Sequence, residues 1–354
     1  MAGSGALADV QRLVTAHYGA RATEPRLLGA GDWSQAFSLA LDGQDTVIRF
    51  GRHVEDFRKD RVMAGYSSAA LPVPAVTEIG RTADGYFAVS ESATGQLLDD
   101  LDSAGMRAAL PSLLRALDAL RALAPPGGRG YGGWAPGGTA AAASWPQALL
   151  AVGQESARVP GWQTTMSVSP VGTSPFRMAY ARLEELITGL PPRRHFVHQD
   201  LLNRNVLVQG AKITAIIDWG NALYGDYLYD AAWLIFWWSW FPAWQAIDIR
   251  QELHRHWAQH GGIPVDVEHR LLTYLLHIGL DAMSYSAFRR RWDDLARTAD
   301  QVRCPRFRRL PASRCPDQRR RIHRPSHRLS HPGADERGRR SRREGEEDLP
   351  GPWQ

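Results

Sequence analysis

The chain has 354 residues, of which 44% are hydrophobic and 22% charged, a composition typical of folded globular proteins. This length allows two lobes, because single hydrophobic cores stop growing near roughly 250–300 residues. The net charge of +5 is unevenly placed: residues 304–354 contain fourteen Arg and seven acidic residues, which leaves 28 basic and 30 acidic residues elsewhere. The charge therefore excludes a strongly basic body and confines that property to the tail.

Cysteine placement and hydropathy exclude two further classes of protein. Both cysteines, Cys304 and Cys315, lie in the tail, so the body has no disulfide, as fits a reducing cytoplasm. The N-terminus lacks a basic stretch followed by an apolar core, so no secretory signal is predicted. The apolar run at 231–244 has fourteen residues and contains Pro242, which is short of the roughly 20 residues that a membrane span needs. We expect a cytoplasmic protein without a membrane partner.

The first 92 residues predict a small, β-rich unit. Apolar residues at helical spacing predict an N-terminal helix over residues 7–18. The Asp42-Gly43 turn between two β-type runs predicts a hairpin. A helix that follows the hairpin is expected to end before Pro72. Five strands are predicted, one after residue 26 and four over residues 36–41, 46–50, 75–79 and 86–91, and the helix covers 54–70.

From residue 96 onward helical periodicity dominates, and the sequence predicts a larger, mostly helical unit. The Gly- and Ala-rich residues 127–143 are expected to form a mobile loop. No internal repeat is visible. The predicted helices cover residues 104–123, 145–152, 176–189, 229–240, 244–260, 265–280 and 281–299.

The segment from residue 198 to 230 carries the strongest chemical signal. His198, Asp200 and Asn205 form H-x-D-x-x-x-x-N, and Asp218 of an Ile-Asp-Trp-Gly run follows thirteen residues after Asn205. Phosphoryl transfer needs an acceptor hydroxyl held in line, a base beside it and divalent ions across the phosphates. Asp200 can serve as that base, while His198 is either a second base or, as we prefer, a residue that fixes the loop. Asn205 and Asp218 can bind Mg²⁺, which prefers oxygen ligands.

This segment resembles the catalytic segment of the aminoglycoside phosphotransferases, small-molecule kinases related to protein kinases. The similarity extends from about Ala30 to about Val302, and its combination of motifs is similar to the hygromycin branch of that family. The motifs include GDWSQAF at 31–37, ALPVP at 70–74, GYG at 130–132 and HIGLD at 277–281.

The resemblance implies an α+β, bilobal protein-kinase-like fold. A small β-rich N-lobe would cover residues 1–92 and a larger, mostly helical C-lobe residues 93–303. The Arg- and Pro-rich residues 304–354 contain few large aliphatic side chains, so they cannot bury enough apolar surface to order themselves and should form a disordered basic tail.

The implied activity is transfer of the γ-phosphate of ATP, with Mg²⁺, to a hydroxyl of an aminoglycoside, with hygromycin B favoured, as an antibiotic-resistance enzyme. Two alternatives stay open: a kinase of another hydroxylated compound such as a macrolide, choline or a sugar amine, and a non-catalytic nucleotide-binding protein. Nucleic-acid binding through the tail is weighed against a passive extension, and the passive extension is preferred. We expect a monomer.

Five residues are expected to surround the nucleotide phosphates. Gly29, Gly31 and Ser34 lie between two predicted strands, where a kinase has its phosphate-covering loop, although a plain turn would look the same. The family pattern usually places a lysine on the third strand, but that position is Arg49 here. Arg can bind phosphate bidentately but is longer and planar. Its expected partner is Asp60, one methylene shorter than the usual Glu, so the pair can keep its span.

Two further residues border the predicted nucleotide, and Arg204 is a candidate substrate-binding residue. The hinge between the lobes follows strand 86–91, and adenine would bind backbone groups of Glu91 or Ala93 there. Arg204 stands in the catalytic loop where the hygromycin branch tends to carry a polar amide. It could contact the transferred phosphate or block a substrate contact.

The acceptor site should present carboxylates, because aminoglycosides are polycations and a cleft of one sign concentrates the opposite ligand. Asp226 and Asp230 closely follow the metal-binding Asp, and the family places Asp281, at the start of a predicted helix, over the acceptor. Each could instead be a solvated charge or a helix N-cap. Trp237 and Trp240 share one helix face and could stack on sugars or ammonium groups, although core packing is the default for such rings.

Overall fold

The computed structural model describes residues 3–304, with side chains from residue 10 onward. Its first part is a five-stranded antiparallel sheet in the order β1-β2-β3-β5-β4. The turn between β2 and β3 has positive φ at Asp42 (53°) and Gly43 (81°), as a two-residue hairpin turn requires, so the predicted hairpin is confirmed. The elements are α1 (Gly3–Tyr18), β1 (Arg26–Ala30), β2 (Ser34–Leu41), β3 (Gln44–Gly51), α2 (Val54–Ala64), β4 (Val76–Arg81) and β5 (Tyr86–Glu91).

Helix α1 packs on one face of this sheet. Val10, Val14 and Tyr18 recur every four residues and are buried with Phe37 and Ile48 of the sheet, as helical periodicity requires. The other helix, α2, contacts β4, β5 and the short turn Trp219–Asn221 of the second part. This contact places α2 between the sheet and the catalytic segment.

The second part is mostly helical, with two small sheets. One sheet has the order β11-β10-β6 and the other β8-β7-β12-β9. The strands are β6 (Gln96–Leu97), β7 (Tyr131–Trp134), β8 (Ala140–Ala142), β9 (His195–Val197), β10 (Val206–Gln209), β11 (Lys212–Ile216) and β12 (Leu223–Gly225). The helices are α3 (Ser103–Ala122), α4 (Trp145–Leu150), α5 (Trp162–Ser167), α6 (Ser174–Leu186), α7 (Leu228–Trp237), α8 (Ile249–Gln259), α9 (Val267–Arg289) and α10 (Trp292–Arg303).

Helix α9 is the centre of the second part. It contacts α5, α6, α7 and α10 and is buried along most of its length. A Cβ built at Gly279 would lie 2.3 Å from Cγ2 of Val302 on α10 and 3.3 Å from Cε2 of Phe236 on α7. Glycine is therefore required there by close packing. The β-rich first part and helical second part confirm the expected α+β, bilobal kinase-like fold.

Two boundary predictions near α2 and α9 are wrong. The helix predicted over 54–70 ends at Ala64, and the following segment is held by Oγ atoms of Ser68 and Ser67, which accept from the backbone of Leu71 (3.1 Å) and Val73 (2.9 Å). The break predicted before Asp281 does not occur, since α9 continues to Arg289. The break falls at residues 290–291 instead.

The segment 127–143, predicted to be a mobile loop, contains β7 and β8. Both strands join a sheet whose other members come much later in the chain. Arg194 fastens the segment further, since its guanidinium donates to the carbonyls of Gly130 (3.0 Å), Pro126 (3.2 Å) and Gly138 (3.2 Å). Helix α5 was not predicted, and α8 begins at Ile249 rather than residue 244, after the N-cap Asp248.

Within residues 3–304, no helix combines the length and apolarity needed to cross a membrane. The predicted disordered tail, 304–354, lies outside the described residues apart from Cys304.

Candidate active site

A large cleft lies between the two parts of the fold. It has a volume of about 480 Å³ and is lined by the β1–β2 loop, β3, α2, the segment after β5 and the catalytic segment. Apolar walls come from Val47, Val76, Leu97, Leu207 and Ile217, as a flat heteroaromatic base would need. The polar end contains Asp200, Asn205 and Asp218 together.

The catalytic loop is fixed from beneath by His198. Its Nδ1 accepts from the backbone N–H of Asp200 (3.2 Å), and its Nε2 faces the carbonyl of Ile217 at 3.0 Å. Burial lowers the pKa of His198 to about 4, so the ring is neutral at neutral pH. Both ring nitrogens are thus occupied by the backbone, and His198 supports the loop next to Asp218 rather than facing an acceptor.

Asp200 is held at the wall of the cleft. Its Oδ2 accepts from Nδ2 of Asn221 (3.1 Å) and Nδ2 of Asn203 (3.3 Å). Burial raises the pKa of the Asp200 carboxyl well above its usual range, and the charge of Asp218 raises it further. A carboxylate with a raised pKa is a better proton acceptor than an exposed one.

Asn205 and Asp218 present oxygen atoms to the same cleft. Nδ2 of Asn205 donates to the carbonyl of Asp200 at 2.7 Å, which leaves Oδ1 for a cation. Asp218 adopts a left-handed backbone, with φ of 60°, and 41% of its side chain is exposed. These two oxygen donors, completed by phosphate oxygens and water, fit the needs of Mg²⁺.

Arg49 and Asp60 form an ion pair at the roof of the cleft. Arg49 lies on the central strand β3, and its Nη1 is also 3.6 Å from Oδ1 of Asp218. The other oxygen of Asp60 accepts from the backbone N–H of Trp219 at 2.8 Å. The pair expected from the sequence is therefore present, and it links β3 and α2 to the residue that follows Asp218.

The loop that carries Gly29, Gly31 and Ser34 covers the cleft. A Cβ built at Gly29 would meet no protein atom within 4 Å, and one at Gly31 would meet only the Ser34 carbonyl at 3.9 Å. Open space beside backbone amides suits a phosphate that approaches the chain closely. At the hinge, the Glu91 amide donates to the carbonyl of Ala75 (3.0 Å), and Ala93 lines the cleft.

A second cavity of about 200 Å³ adjoins the first on the C-lobe side. Gln199 lines the smaller cavity while the next residue, Asp200, lines the larger, so the two meet at the catalytic loop. Asp281 and His277 of α9 form part of its wall. Burial raises the pKa of Asp281 to about 6. Among the described residues, no hydrogen-bond donor or cation pairs with this carboxylate.

Two aspartates predicted for the acceptor site are instead paired with other groups of the protein. Asp226 is fully buried and forms a bidentate ion pair with Arg270 (2.6 and 2.7 Å), while Tyr274 donates to it at 2.7 Å. Asp230 accepts from the backbone N–H groups of His198 and Gln199, both at 2.9 Å. The expectation that they face the acceptor is corrected: Asp226 joins β12 to α9, and Asp230 anchors the catalytic loop.

The two predicted tryptophans also lie outside both cavities. Trp237 is 1% exposed and packs in the C-lobe core. Nε1 of Trp240 donates to Gln301 at 3.0 Å, and Arg297 stacks 3.9 Å from its ring centroid. Core packing, the alternative weighed from the sequence, is what the structure shows for both.

Arg204 lines the larger cleft and not the smaller cavity. Its backbone N–H donates to Asp99 at 2.9 Å, and its Nη1 is 3.5 Å from Asp100. This position suits a contact with phosphate and does not suit a contact with the acceptor.

Four residues of the site region were not predicted: Asp32, Lys59, Arg158 and Asn221. Nζ of Lys59 donates to the carbonyls of Gly220 (2.9 Å) and Ala222 (3.1 Å). The rarity of lysine, two in the whole chain, was the available signal for Lys59. Asp32 lies within the GDWSQAF motif, which assigned it no role, and Arg158 and Asn221 belong to no motif.

Comparisons with known proteins agree with this geometry. The phosphotransferase enzyme family model matches residues 28–264. Hygromycin-B 4-O-kinase of Escherichia coli is 34% identical over 274 residues, 76% of either chain. A crystal structure of a thermostable mutant of aminoglycoside phosphotransferase APH(4)-Ia, in ternary complex with AMP-PNP and hygromycin B, superposes with a TM-score of 0.72 at 29% identity and covers 83% of this chain and 97% of that one.

A more distant structure shares the fold alone. Spectinomycin phosphotransferase APH(9)-Ia, in complex with ADP and spectinomycin, has a TM-score of 0.55 at 12% identity over 84% of this chain and 93% of that one.

Proposed function

The chain belongs to the phosphotransferase enzyme family, and from that premise we propose that it transfers the γ-phosphate of ATP to a hydroxyl of an aminoglycoside, with hygromycin B as the favoured acceptor. Its relatives include a hygromycin-B 4-O-kinase and a structure that holds AMP-PNP with hygromycin B. Such an activity would inactivate the antibiotic and confer resistance.

The unpaired carboxylate of Asp281 is the observation that carries the choice of acceptor. It lines the smaller cavity, which meets the nucleotide cleft at Asp200. A partly buried carboxylate without a partner is costly, and an ammonium group of an aminoglycoside would compensate it. A neutral macrolide would leave that charge unpaired, so the site favours a cation.

Asp200 is proposed as the base. An acceptor hydroxyl in the smaller cavity would donate to its carboxylate, and the hydroxyl oxygen would form a bond to the γ-phosphorus. The bond from the γ-phosphorus to the oxygen that bridges to the β-phosphorus breaks, ADP leaves, and the proton passes to Asp200. Asn203 and Asn221 orient the carboxylate through Oδ2, which leaves Oδ1 for the hydroxyl.

Arg49 would bind the α- and β-phosphates, and Asp60 holds it in place. The backbone around Gly29, Gly31 and Ser34 would cover the phosphates, and the hinge at Glu91 and Ala93 would bind adenine through the backbone. Asn205 and Asp218 would hold Mg²⁺, which supplies charge neutralisation across the phosphates when bound.

The hinge also gives the lobe boundaries that we propose, residues 1–92 and 93–303. The C-terminal boundary follows α10, which packs on α9. A monomer in the cytoplasm, where ATP is abundant, fits a small-molecule kinase of this kind.

The test measures ADP release by the purified protein with hygromycin B, a macrolide, choline and a sugar amine as acceptors. We expect turnover with hygromycin B, loss of at least about 10³-fold in Asp200→Asn, and an acid limb of kcat/KM above the usual pKa of Asp. Turnover with a neutral acceptor alone would contradict the proposed substrate but not the enzyme class. Nucleotide binding without turnover of any acceptor would contradict the proposed reaction.

A further inference from the structure

We propose that Arg158 is a further catalytic residue, whose guanidinium binds the γ-phosphoryl group as it passes from ATP to the acceptor. The inference rests on the proposed phosphoryl transfer in this cleft. Arg158 lies in the segment between α4 and α5, outside every recognised motif, and it lines the larger cavity. Its neighbour Val159 lines the smaller one.

The guanidinium is one side chain away from the proposed base. Nη1 of Arg158 is 3.4 Å from Oδ1 of Asn221, and Nδ2 of the same amide donates to Asp200 at 3.1 Å. Asn221 thus bridges the cation and the carboxylate. During transfer, the γ-phosphoryl group must pass beside Asp200, because the attacking hydroxyl is bound there.

The loop that carries Gly29, Gly31 and Ser34, called the glycine loop below, borders the same space. The guanidinium carbon of Arg158 is 5.9 Å from the ring centroid of Trp33, which lies in the loop between Gly31 and Ser34. Arg158 therefore lies between the loop that contains Trp33, which would cover the phosphates, and the proposed base Asp200. This is the location where the terminal phosphate has to lie.

Arg158 is held in place with donors to spare. Its Nη2 pairs with Asp56 of α2, and about a third of its side chain, 35%, is exposed. A guanidinium has five N–H donors in a rigid fork, so Nε and part of both terminal nitrogens stay available for phosphate oxygens. Charge-assisted bonds of this kind are strong and geometrically specific.

The other two arginines of the cleft, Arg49 and Arg204, have different partners and lie at different places. Arg49 is flanked by Asp60 and Asp218, which places it toward the α- and β-phosphates. Arg204 is held by Asp99 and Asp100 at the other edge. A positive charge on the acceptor side of the γ-phosphate is needed for the developing charge of the transfer, and Arg158 is positioned to supply it.

A purely structural role for Arg158 makes a different prediction. If the residue only joins the lobes through its ion pair, then removal of Asp56 should have the same effect as removal of Arg158. The Asp56→Asn variant is therefore the matched control, because it breaks the ion pair and keeps the guanidinium.

The experiment compares Arg158→Ala, Arg158→Lys and Asp56→Asn in steady-state kinetics with hygromycin B and in calorimetric binding of ADP and AMP-PNP with Mg²⁺. We expect kcat to fall about 10²–10³-fold in Arg158→Ala, with AMP-PNP binding weakened about tenfold and ADP binding within twofold. Asp56→Asn should lose less than about tenfold in kcat. Millimolar guanidinium should restore part of the activity of Arg158→Ala, and the lysine variant should be intermediate.

Two results would overturn the proposal. One is an equal fall of kcat in Arg158→Ala and Asp56→Asn, with no further fall of kcat in the double variant. The other is equal weakening of ADP and AMP-PNP. Thermal unfolding of each variant separates misfolding from both, and the lysine variant keeps the test valid if alanine unfolds the protein. The binding comparison does not depend on the acceptor, so it stands even if hygromycin B is not the substrate.

Discussion

The chemistry of each aspartate around the catalytic loop depends on its partner. Asp226 faces Arg270, Asp230 faces two backbone N–H groups, and Asp200 faces two amide side chains. Asp281 faces a cavity without a partner among the described residues. The charges of Asp226 and Asp230 are already compensated inside the fold, so Asp281 is the one of these residues, besides Asp200, whose carboxylate is open to a ligand.

The Asp281→Asn variant should be more stable than the wild type at pH 8 and weaker in substrate binding. The pKa of Asp281 is raised by burial from 3.8 to about 6. The folded protein therefore binds a proton that the unfolded chain has released, and wild-type stability falls as pH rises from about 4 to 6. We expect a gain of about 1–2 kcal/mol at pH 8 and little at about pH 3.5, below the pKa of both states, with KM for hygromycin B raised at least tenfold. Thermal unfolding at both pH values and steady-state kinetics measure these effects.

Asp230→Asn is the matched control for this prediction. Burial also raises the pKa of Asp230 to about 6, but its two oxygens accept from His198 and Gln199. An amide would direct an N–H₂ group at one of these donors and lose that bond, a cost of about 1–3 kcal/mol. This variant should be destabilised at both pH values. A gain at pH 8 in both variants would show that burial alone, and not the missing partner, sets the effect.

The sequence could predict the residue types around the catalytic loop but not the partner of each aspartate there. The H-x-D-x-x-x-x-N spacing is local, so Asp200, Asn205 and Asp218 were brought together as expected. Asp226 and Asp281 look alike in the sequence, because Arg270 lies 44 residues from the first and no described residue pairs with the second. The choice between them is a property of tertiary packing.

At the scale of elements, the glycine loop is fastened to the end of α9. Asp32, at the tip of that loop, pairs with Arg289 and with Arg291 (2.9 Å) and accepts from the hydroxyl of Tyr285 (2.5 Å). Its side chain is only 6% exposed. The loop that carries Gly29, Gly31 and Ser34 is thus tied to the helix that carries Asp281 in the smaller cavity.

The Arg289→Ala/Arg291→Ala double variant should bind ATP more weakly than Asp32→Asn does. Loss of the two arginines leaves the Asp32 carboxylate uncompensated beside the phosphates, whereas Asp32→Asn removes the tie and the charge together. We expect KM for ATP to rise about tenfold in the first and about threefold in the second, as one uncompensated charge near a polyanion predicts. Arg297→Ala, on α10 and away from the loop, is the control. A larger effect of Asp32→Asn would contradict this account.

Turn signals in the sequence predicted local pairing better than they predicted distant pairing. The β2–β3 hairpin follows from Asp42-Gly43 alone. Strand β7 was missed because its central partner is β12, some ninety residues further along. The edge strand β8 pairs with β7 and was missed with it. The false break before Asp281 arose because Asp commonly caps helices, while the packing of Gly279 against α7 and α10 carries α9 through that position.

At the scale of the whole molecule, the lobes meet at consecutive residues of α2. Lys59 donates to the carbonyls of Gly220 and Ala222, and Asp60 accepts from the amide of Trp219. Asp32 makes a second junction at α9. Both junctions flank the cleft, one beside Asp218 and the other at the loop that carries Asp32, so the contacts that join the lobes also border the candidate site.

Catalysis should therefore need α10 but not the residues after it. Val302 of α10 packs against Gly279 of α9, and Gln301 donates to the carbonyl of Phe236 at 2.7 Å. A chain that ends after Cys304 should keep kcat and KM within about twofold. It should lose all of the basic excess, since the removed part carries fourteen Arg against seven acidic residues and the remainder has 28 basic against 30 acidic residues. A chain that ends after Arg291 should lose several kcal/mol of stability, because it exposes the α9 face that Leu295, Ala299 and Val302 cover. Kinetics and thermal unfolding of both truncations test this.

If the full chain also binds duplex DNA with a steep salt dependence that the first truncation abolishes, the tail has a function of its own. A fall in kcat in that truncation would instead show that the tail contributes to catalysis.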